Sequence, residues 1–435
     1  MPHPVPASTR EICAPHGTSE HLGAKLSLLC STPPHPRLGM AEIFAFAMAK
    51  ADLAPACQAL IARDQNNPSD IDALMDLSVA LEICGSKQQA LAVLDLALST
   101  KRLHRLTGAP GGPFRPRILV LACEGNMQAN MPYEFFLRRL PIDAAVLYVK
   151  PGMELPKELP EHDAVLCAIC QHPEQMETLT WLSEAKKAGF LPSKWIGDPS
   201  RISRLERKNL SLALAGCKGV WTPAMAEITR EQAQEIASER LAAGSFGIRY
   251  PLAARPLGSQ AGYGLEKLDK PSDWTGFLER QVESSFYACD FVDYRAAGGF
   301  WPKMRICFID GKPFASHLSC SDGWISHYVN SNMEKDPVRR DMEMLWMKNF
   351  HQPDGFACAH AQAFELISSR LDLDYHVMDC AVAHDGRLVV FETDNGGVVH
   401  SLDNPDIFPY KAECMERIYA AFWTMLIRFI EGEAP

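Results

Sequence analysis

Three acidic residues near the end of this 435-residue chain stand at intervals that suit metal chemistry. They lie in His376-Val-Met-Asp379-Cys-Ala-Val-Ala-His-Asp385-Gly386-Arg-Leu-Val-Val-Phe-Glu392-Thr-Asp394-Asn395. Asp385-Gly386 between apolar runs signals a β-hairpin. If these two are the central turn residues, Asp379 and Glu392 lie directly across from each other, with Cβ atoms about 5 Å apart. Asp394, two residues beyond Glu392, points from the same face. Three carboxylates so placed repel one another unless a hard cation holds them, and so few oxygen donors suit Mg2+ shared with phosphates. A solvated hairpin with ordinary surface acids is the plainer alternative; the neighbours Val389, Val390 and Phe391 weigh against it.

Two more stretches carry charge with a chemical use. Tyr250-Pro-Leu-Ala-Ala-Arg255-Pro-Leu-Gly258-Ser259-Gln260-Ala261-Gly262-Tyr263-Gly264 reads as a short strand ending in Arg255 and a loop with three glycines. Such a loop lets backbone N–H groups crowd around phosphate oxygens, and Arg255 adds a fixed positive charge. It is neither a Walker loop nor a dinucleotide fingerprint; a mobile surface turn would read the same way. Further on come Asp293-Tyr-Arg295 and Trp301-Pro-Lys303-Met-Arg305. Lys303 and Arg305 share one strand face and could hold an acyl phosphate or a substrate carboxylate, unless they are solvent-facing strand charges. The stretch from Ser316 to Tyr328 is rich in polar and aromatic groups. Its His317 and His327 are candidates for touching substrate or for taking a proton from an amine; a strand followed by a surface loop is the bland reading.

The elements that must position these residues follow from periodicity. Residues 1–39, rich in Pro, His and Ser, read as a disordered leader, and Met40, which opens a helical pattern, could serve as an alternative start. Residues 40–106 are helical. Ile71 to His104 fits the roughly 34-residue tetratricopeptide pattern through Leu74, Leu77, Leu81, Ala90, Leu94 and Ala97; a generic helical hairpin fits as well. Residues 107–114 are a Gly/Pro linker. From 115 to 225, strands at Arg117–Ala122, Ala144–Val149 and Asp163–Ile169 alternate with helices, which argues for a parallel α/β layer. A helix from Glu227 to Ala242 leads into a catalytic part at 226–435. There, Asp310-Gly311 and Asp385-Gly386 mark hairpins, and an amphipathic helix at Lys411–Ile430 packs on the catalytic core.

Composition narrows the classes. The net charge of -10 and the lack of a like-charge block argue against a nucleic-acid surface. No apolar run approaches the roughly 20 residues of a membrane span. The 14 cysteines are scattered through apolar stretches, as in reduced cytoplasmic proteins. Cys167 and Cys170 form a CxxC, but no second ligand pair accompanies it, so a buried strand is expected there rather than zinc.

In this order (Gly-rich loop, hinge strand, Arg-bearing strand, then Asp, Glu and Asp on a hairpin) the features resemble the ATP-grasp superfamily, and the Asp379-to-Glu392 step followed by Glu-x-Asp looks like the magnesium pattern of D-alanine ligases. Arg255-Pro-Leu-Gly-Ser, Phe308-Ile-Asp-Gly-Lys-Pro-Phe and Val399-His400-Ser-Leu-Asp403 leading to Phe408-Pro-Tyr-Lys411 look like bacterial ATP-grasp proteins that carry tetratricopeptide repeats. The resemblance implies an α+β and α/β fold: an α/β pre-ATP-grasp layer and two antiparallel α+β subdomains behind a tetratricopeptide-like segment. It implies a carboxylate–amine ligase using ATP and Mg2+, the metal held by Asp379, Glu392 and Asp394, with Asn395 close by. Arg255 would take the α- and β-phosphates under the loop of Gly258, Ser259, Gln260, Gly262 and Gly264, and Arg305, with Lys303, the transferred phosphoryl group. Phe291 and Val292 would offer backbone groups to adenine and Asp293 a carboxylate to ribose, while Arg295, His317, His327 and Asn395 are substrate candidates. The implied substrates are a small-molecule, peptide or carrier-bound carboxylate and an amine. A protein or peptide partner on the helical repeats and a homodimer are further expectations; a membrane or nucleic-acid partner is not expected.

Overall fold

The computed structural model describes residues 15–31, 37–111, 114–154, 156, 158–191, 194–259, 262–326, 328 and 331–432. The chain divides into two units: Met1–Ser203 with Leu373–His376 and Asp394–Pro435, and Arg204–Asp372 with Val377–Thr393. The boundary thus falls earlier than the expected 225/226, and the chain re-enters the first unit after Thr393.

The first unit opens with helices α1 (Ser19–Ser31), α2 (Met40–Met48), α3 (Ala54–Asn66), α4 (Ile71–Ile83) and α5 (Lys87–Thr100). The expected leader is corrected here, because residues 19–31 are helical. Leu22, Leu26 and Cys30 repeat every four residues and are buried against Ile43, Phe46, Leu60 and Leu77. Three apolar positions suffice where neighbouring helices supply the facing surface, and the surrounding Pro and Ser obscure so short a stripe. Leu26→Ala should therefore destabilise the protein by about 2–5 kcal/mol in denaturant unfolding, and Leu28→Ala, on the exposed side, by almost nothing. α4 and α5 form a helical hairpin with Gly85 at φ +84° in its turn. The segment is fastened to its unit by polar contacts as well as apolar ones. The buried Asp76 accepts the N–H groups of Leu38 (2.7 Å) and Gly39 (2.8 Å), and burial pushes its carboxyl up to about 6. Glu134, also buried, accepts from Arg37 (3.2 Å) and the Ala41 N–H (3.2 Å).

The strands of this unit are β1 (Leu103–Thr107), β2 (Arg117–Cys123), β3 (Asp143–Val149), β4 (Ala164–Cys167) and β5 (Trp195–Ile196), in the order β1-β3-β2-β4-β5. All neighbours run parallel except β1, which lies antiparallel on β3. The near-continuous burial of β2 and β3 is what a parallel layer covered on both faces requires. The expected linker is shorter than read. Residues 103–107 are an edge strand, and the N–H groups of Gly108 and Ala109 donate to Ile142 and Leu140. The helix Lys411–Glu431 belongs to this unit: Phe422 and Tyr419 pack on Phe136 at ring distances of 4.6 and 5.6 Å. Cys167 and Cys170 are buried, and burial pushes their thiols up, Cys167 to about 12. Among the described residues no helix is long and apolar enough to cross a membrane.

His376, fully buried, has its imidazole pushed down by burial to about 3. The unfolded chain gains a proton there below the ordinary histidine value of 6.5, whereas the folded chain stays neutral until about 3. Its contribution is intact above 6.5 and is lost as the pH falls towards 3, by roughly 1 kcal/mol per pH unit. His376→Leu should flatten the acid side of a stability–pH curve over that window.

The second unit holds β6 (Val220–Trp221), β7 (Met225–Thr229), β8 (Leu252–Pro256), β9 (Glu266–Leu268), β10 (Ser285–Asp290), β11 (Trp301–Ile309), β12 (Lys312–Ser321) and most of β13 (Tyr375–Val382) and β14 (Leu388–Asp394). One sheet is antiparallel, β7-β10-β8-β9; the other runs β12-β11-β13-β14-β6. The expected helix from Glu227 is corrected: Met225–Thr229 is a strand, and Thr229 and Gln232 form a capping box that starts the helix at Arg230. Trp274, Phe277, Phe286, Ile228 and Leu252 make the core under the four-stranded sheet.

Candidate active site

The two expected hairpins form, with different turns. Asp310 (φ +53°) and Gly311 (φ +73°) are the two central residues between β11 and β12, where Ile309 pairs with Lys312. At the second hairpin the Gly386 N–H donates to the Ala383 carbonyl and the Ala383 N–H to that of Arg387. His384, Asp385 and Gly386 (φ +85°) therefore make a three-residue loop, not the two-residue turn assumed above, so the turn by itself does not set Asp379 across from Glu392.

What holds these carboxylates is a set of cations. Asp379, buried on β13, accepts from Arg305 Nε (2.8 Å) and Nη2 (3.1 Å) and from Lys303 Nζ (2.7 Å). Burial pushes its carboxyl up, but Arg305 and Lys303 outweigh burial and hold it well below the usual range. Glu392 accepts from Arg207 Nη2 (2.6 Å). Burial raises it, Arg207 and Lys303 lower it, nearby Asp379 raises it, and the net direction is down. Both groups are thus ionised oxygen donors. Asp394 instead accepts the Gly396 N–H (2.7 Å), and Asn395, buried, donates to the Ile169 carbonyl (2.9 Å). Among the described residues no three His, Cys, Asp or Glu side chains are gathered as metal ligands. Of the three expected ligands, Asp379 and Glu392 are held by side-chain cations and Asp394 accepts from a backbone N–H. Two hard carboxylates still fit Mg2+ that arrives on phosphates, which needs only one or two from the protein.

Arg255 stands apart. Its guanidinium donates to Ser259 Oγ (2.8 Å) and to the Ser259 carbonyl, and among the described residues no carboxylate pairs with it. Burial, then the neighbouring Arg207, push it down to about 10, against a smaller pull from Glu392. The glycine loop connects β8 to β9, with Gly258 (φ +75°), Gly262 (φ +71°) and Gly264 (φ +63°) in left-handed backbone that a side chain would strain. Gln260 and His327 lie outside the described residues.

Arg207 was missed by sequence reasoning. It starts the helix Arg207–Ala213, whose first N–H groups are capped by Glu206, and Tyr287 of β10 donates to Glu206 Oε1 (2.6 Å). No motif surrounds it, and its partner Glu392 lies 185 residues away.

The remaining candidates are less closely joined to this array. Lys303 and Arg305 lie opposite Ser319 and His317 on β12. The His317 ring packs on Tyr328 at 4.7 Å. The Phe291 N–H donates to the Pro251 carbonyl (2.8 Å) and so is already engaged, and the Phe291 ring meets Trp301 and Trp324. Val292 is buried with Ala383 and Val389. Asp293 and Arg295 pair with each other near the surface (Arg295 Nε to Asp293 Oδ1, 3.0 Å).

No protein-family model matches the chain. No curated protein matches it either. Solved structures do. The chain is similar to D-alanine–D-alanine ligase from Bacillus anthracis, complexed with ATP, at 15% identity and a TM-score of 0.39, over 70% of this chain and 98% of that one. It is similar to a RimK-domain ATP-grasp protein from Sphaerobacter thermophilus (13%, TM-score 0.39, 73% and 100%). It is also similar to D-alanyl-alanine synthetase A from Vibrio cholerae (11%, TM-score 0.45, 73% and 98%).

Proposed function

We propose that this chain is a Mg-ATP-dependent ligase that activates a substrate carboxylate as an acyl phosphate and joins it to an amine. The observation that carries the reading is the array in the second unit. Arg255, half-buried and among the described residues without a carboxylate partner, lies near Arg207, and Arg207, Lys303 and Arg305 are balanced by the ionised Asp379 and Glu392. Closely set, partly buried cations are what a polyphosphate needs, and two nearby carboxylates are what a divalent cation on that polyphosphate needs.

Asp379 and Glu392 would hold Mg2+, which when bound supplies positive charge to the phosphate oxygens. Arg255 and Arg207 bind the non-transferred phosphates. Arg305 and Lys303, on one strand face, hold the γ-phosphoryl group while a carboxylate oxygen of the substrate attacks its phosphorus and ADP leaves. The amine then attacks the acyl carbon, and the C–O bond to phosphate breaks. The reading needs no side-chain nucleophile. Cys289, within electrostatic reach of Arg255, has its thiol pushed up to about 11 by burial and is a poor one. The chain's task is to position the reactants and keep out water.

Calorimetry with Mg-ATP on wild type and Glu392→Gln, followed by ADP release across pairs of carboxylates and amines, tests the reading. ADP release that needs both partners supports it. Release with a carboxylate or another acceptor alone makes the chain a phosphotransferase. ATP binding without turnover makes it a nucleotide-binding scaffold acting through its helices, and no ATP binding removes the reading.

A further inference from the structure

We propose that the second unit contains an internal substitute for each half of a metal–nucleotide complex, so that it accepts metal and nucleotide only together. The inference rests on the function proposed above.

Both oxygens of Asp379 are engaged, Oδ1 by Arg305 (2.8 Å) and Oδ2 by Arg305 (3.1 Å) and Lys303 (2.7 Å). Glu392 engages Arg207 (2.6 Å). The cations that phosphates must reach are thus held by the carboxylates that a metal must reach. Free nucleotide has to displace Asp379 and Glu392 from their cations, which leaves one carboxylate buried and one part-buried, both unpaired. Free Mg2+ has to displace Arg305 and Lys303 to reach Asp379, which leaves cations unpaired. When both arrive, each protein pair exchanges for a new one, cation to phosphate and carboxylate to metal, and no charge is stranded. Arg255, without a carboxylate of its own, is the one cation of the array that a phosphate reaches without displacing an anion.

Such an arrangement is a coupling between two ligands, and coupling is reciprocal. Mg2+ should strengthen ATP binding, and ATP should strengthen Mg2+ binding, by the same factor, on the order of 100-fold. The experiment is calorimetry on the whole chain with ATP plus a chelator, with MgCl2 alone, and with Mg-ATP. The distinctive result concerns Asp379→Asn. Freeing Arg305 and Lys303 should tighten metal-free ATP binding, by about 10-fold, while the Mg2+ dependence shrinks. Glu392→Gln, which frees Arg207, should act in the same direction and serves if Asp379→Asn does not fold. Asp354→Asn, the same charge change at an exposed carboxylate of this unit, should leave metal-free binding near wild type. Wild type that binds metal-free ATP as tightly as Mg-ATP overturns the inference, and so do carboxylate variants that bind metal-free ATP no better than wild type. Failure of Mg-ATP itself to bind removes the proposed function as well, and that outcome is distinguishable from the others.

Discussion

Arg305→Ala should lower ATP turnover by about 10³-fold or more, because in the proposed reaction Arg305 faces the charge that develops on the transferred phosphoryl group. The bidentate contact of Arg305 with Asp379 shows that its planar fork already fits a two-oxygen anion. Lys303 remains on Asp379 in the variant, so the buried carboxylate keeps one cation and the loss of stability should be smaller, about 1–3 kcal/mol. Arg305→Lys should restore much of the stability and little of the turnover, since an ammonium presents a point charge and not a fork. Steady-state ADP release and urea unfolding on the three proteins separate the two effects. Equal loss of turnover and stability in both variants would reduce Arg305 to a structural partner of Asp379.

Arg255→Met should have effects of opposite sign on binding and stability. Arg255 is half-buried, feels the charge of a second guanidinium, Arg207, and among the described residues hydrogen-bonds to Ser259. A cation so placed costs desolvation that no carboxylate offsets. Methionine of similar length should leave the melting temperature unchanged or raise it, because the two contacts to Ser259 compensate little. Removing the cation from the phosphates should weaken Mg-ATP binding by on the order of 10²-fold. Thermal unfolding beside calorimetry decides this. A variant that melts well below wild type yet binds ATP normally would show Arg255 to be a packing residue.

The local elements were legible because each carries its signal within a few residues. Asp310-Gly311 makes its hairpin from two residues that tolerate positive φ, and Gly258, Gly262 and Gly264 mark a loop that requires it. The alternation of strands and helices announced the parallel layer, since a strand covered on both faces must be apolar throughout. Lys303 and Arg305 were read on one strand face from the period of two, and both reach Asp379. The limit of local reading shows at Gly386. Asp-Gly is compatible with a two-residue or a three-residue loop, and one residue shifts which side chains are paired.

The residues alone therefore determined which segments turn, which alternate and which charges share a strand. Folding decided where those charges find partners. Repulsion between acids can be relieved by any cation, and the residues around Asp379 and Glu392 do not announce that Arg305, Lys303 and Arg207 pair with them, the last of these 185 residues from Glu392. The same holds for α1, whose three apolar residues mean little until Ile43, Phe46 and Leu77 are brought against them, and for the last helix, whose apolar face does not name the layer it covers. Electrostatic and hydrophobic partners are chosen by distance in space, and distance along the chain carries almost no information about it.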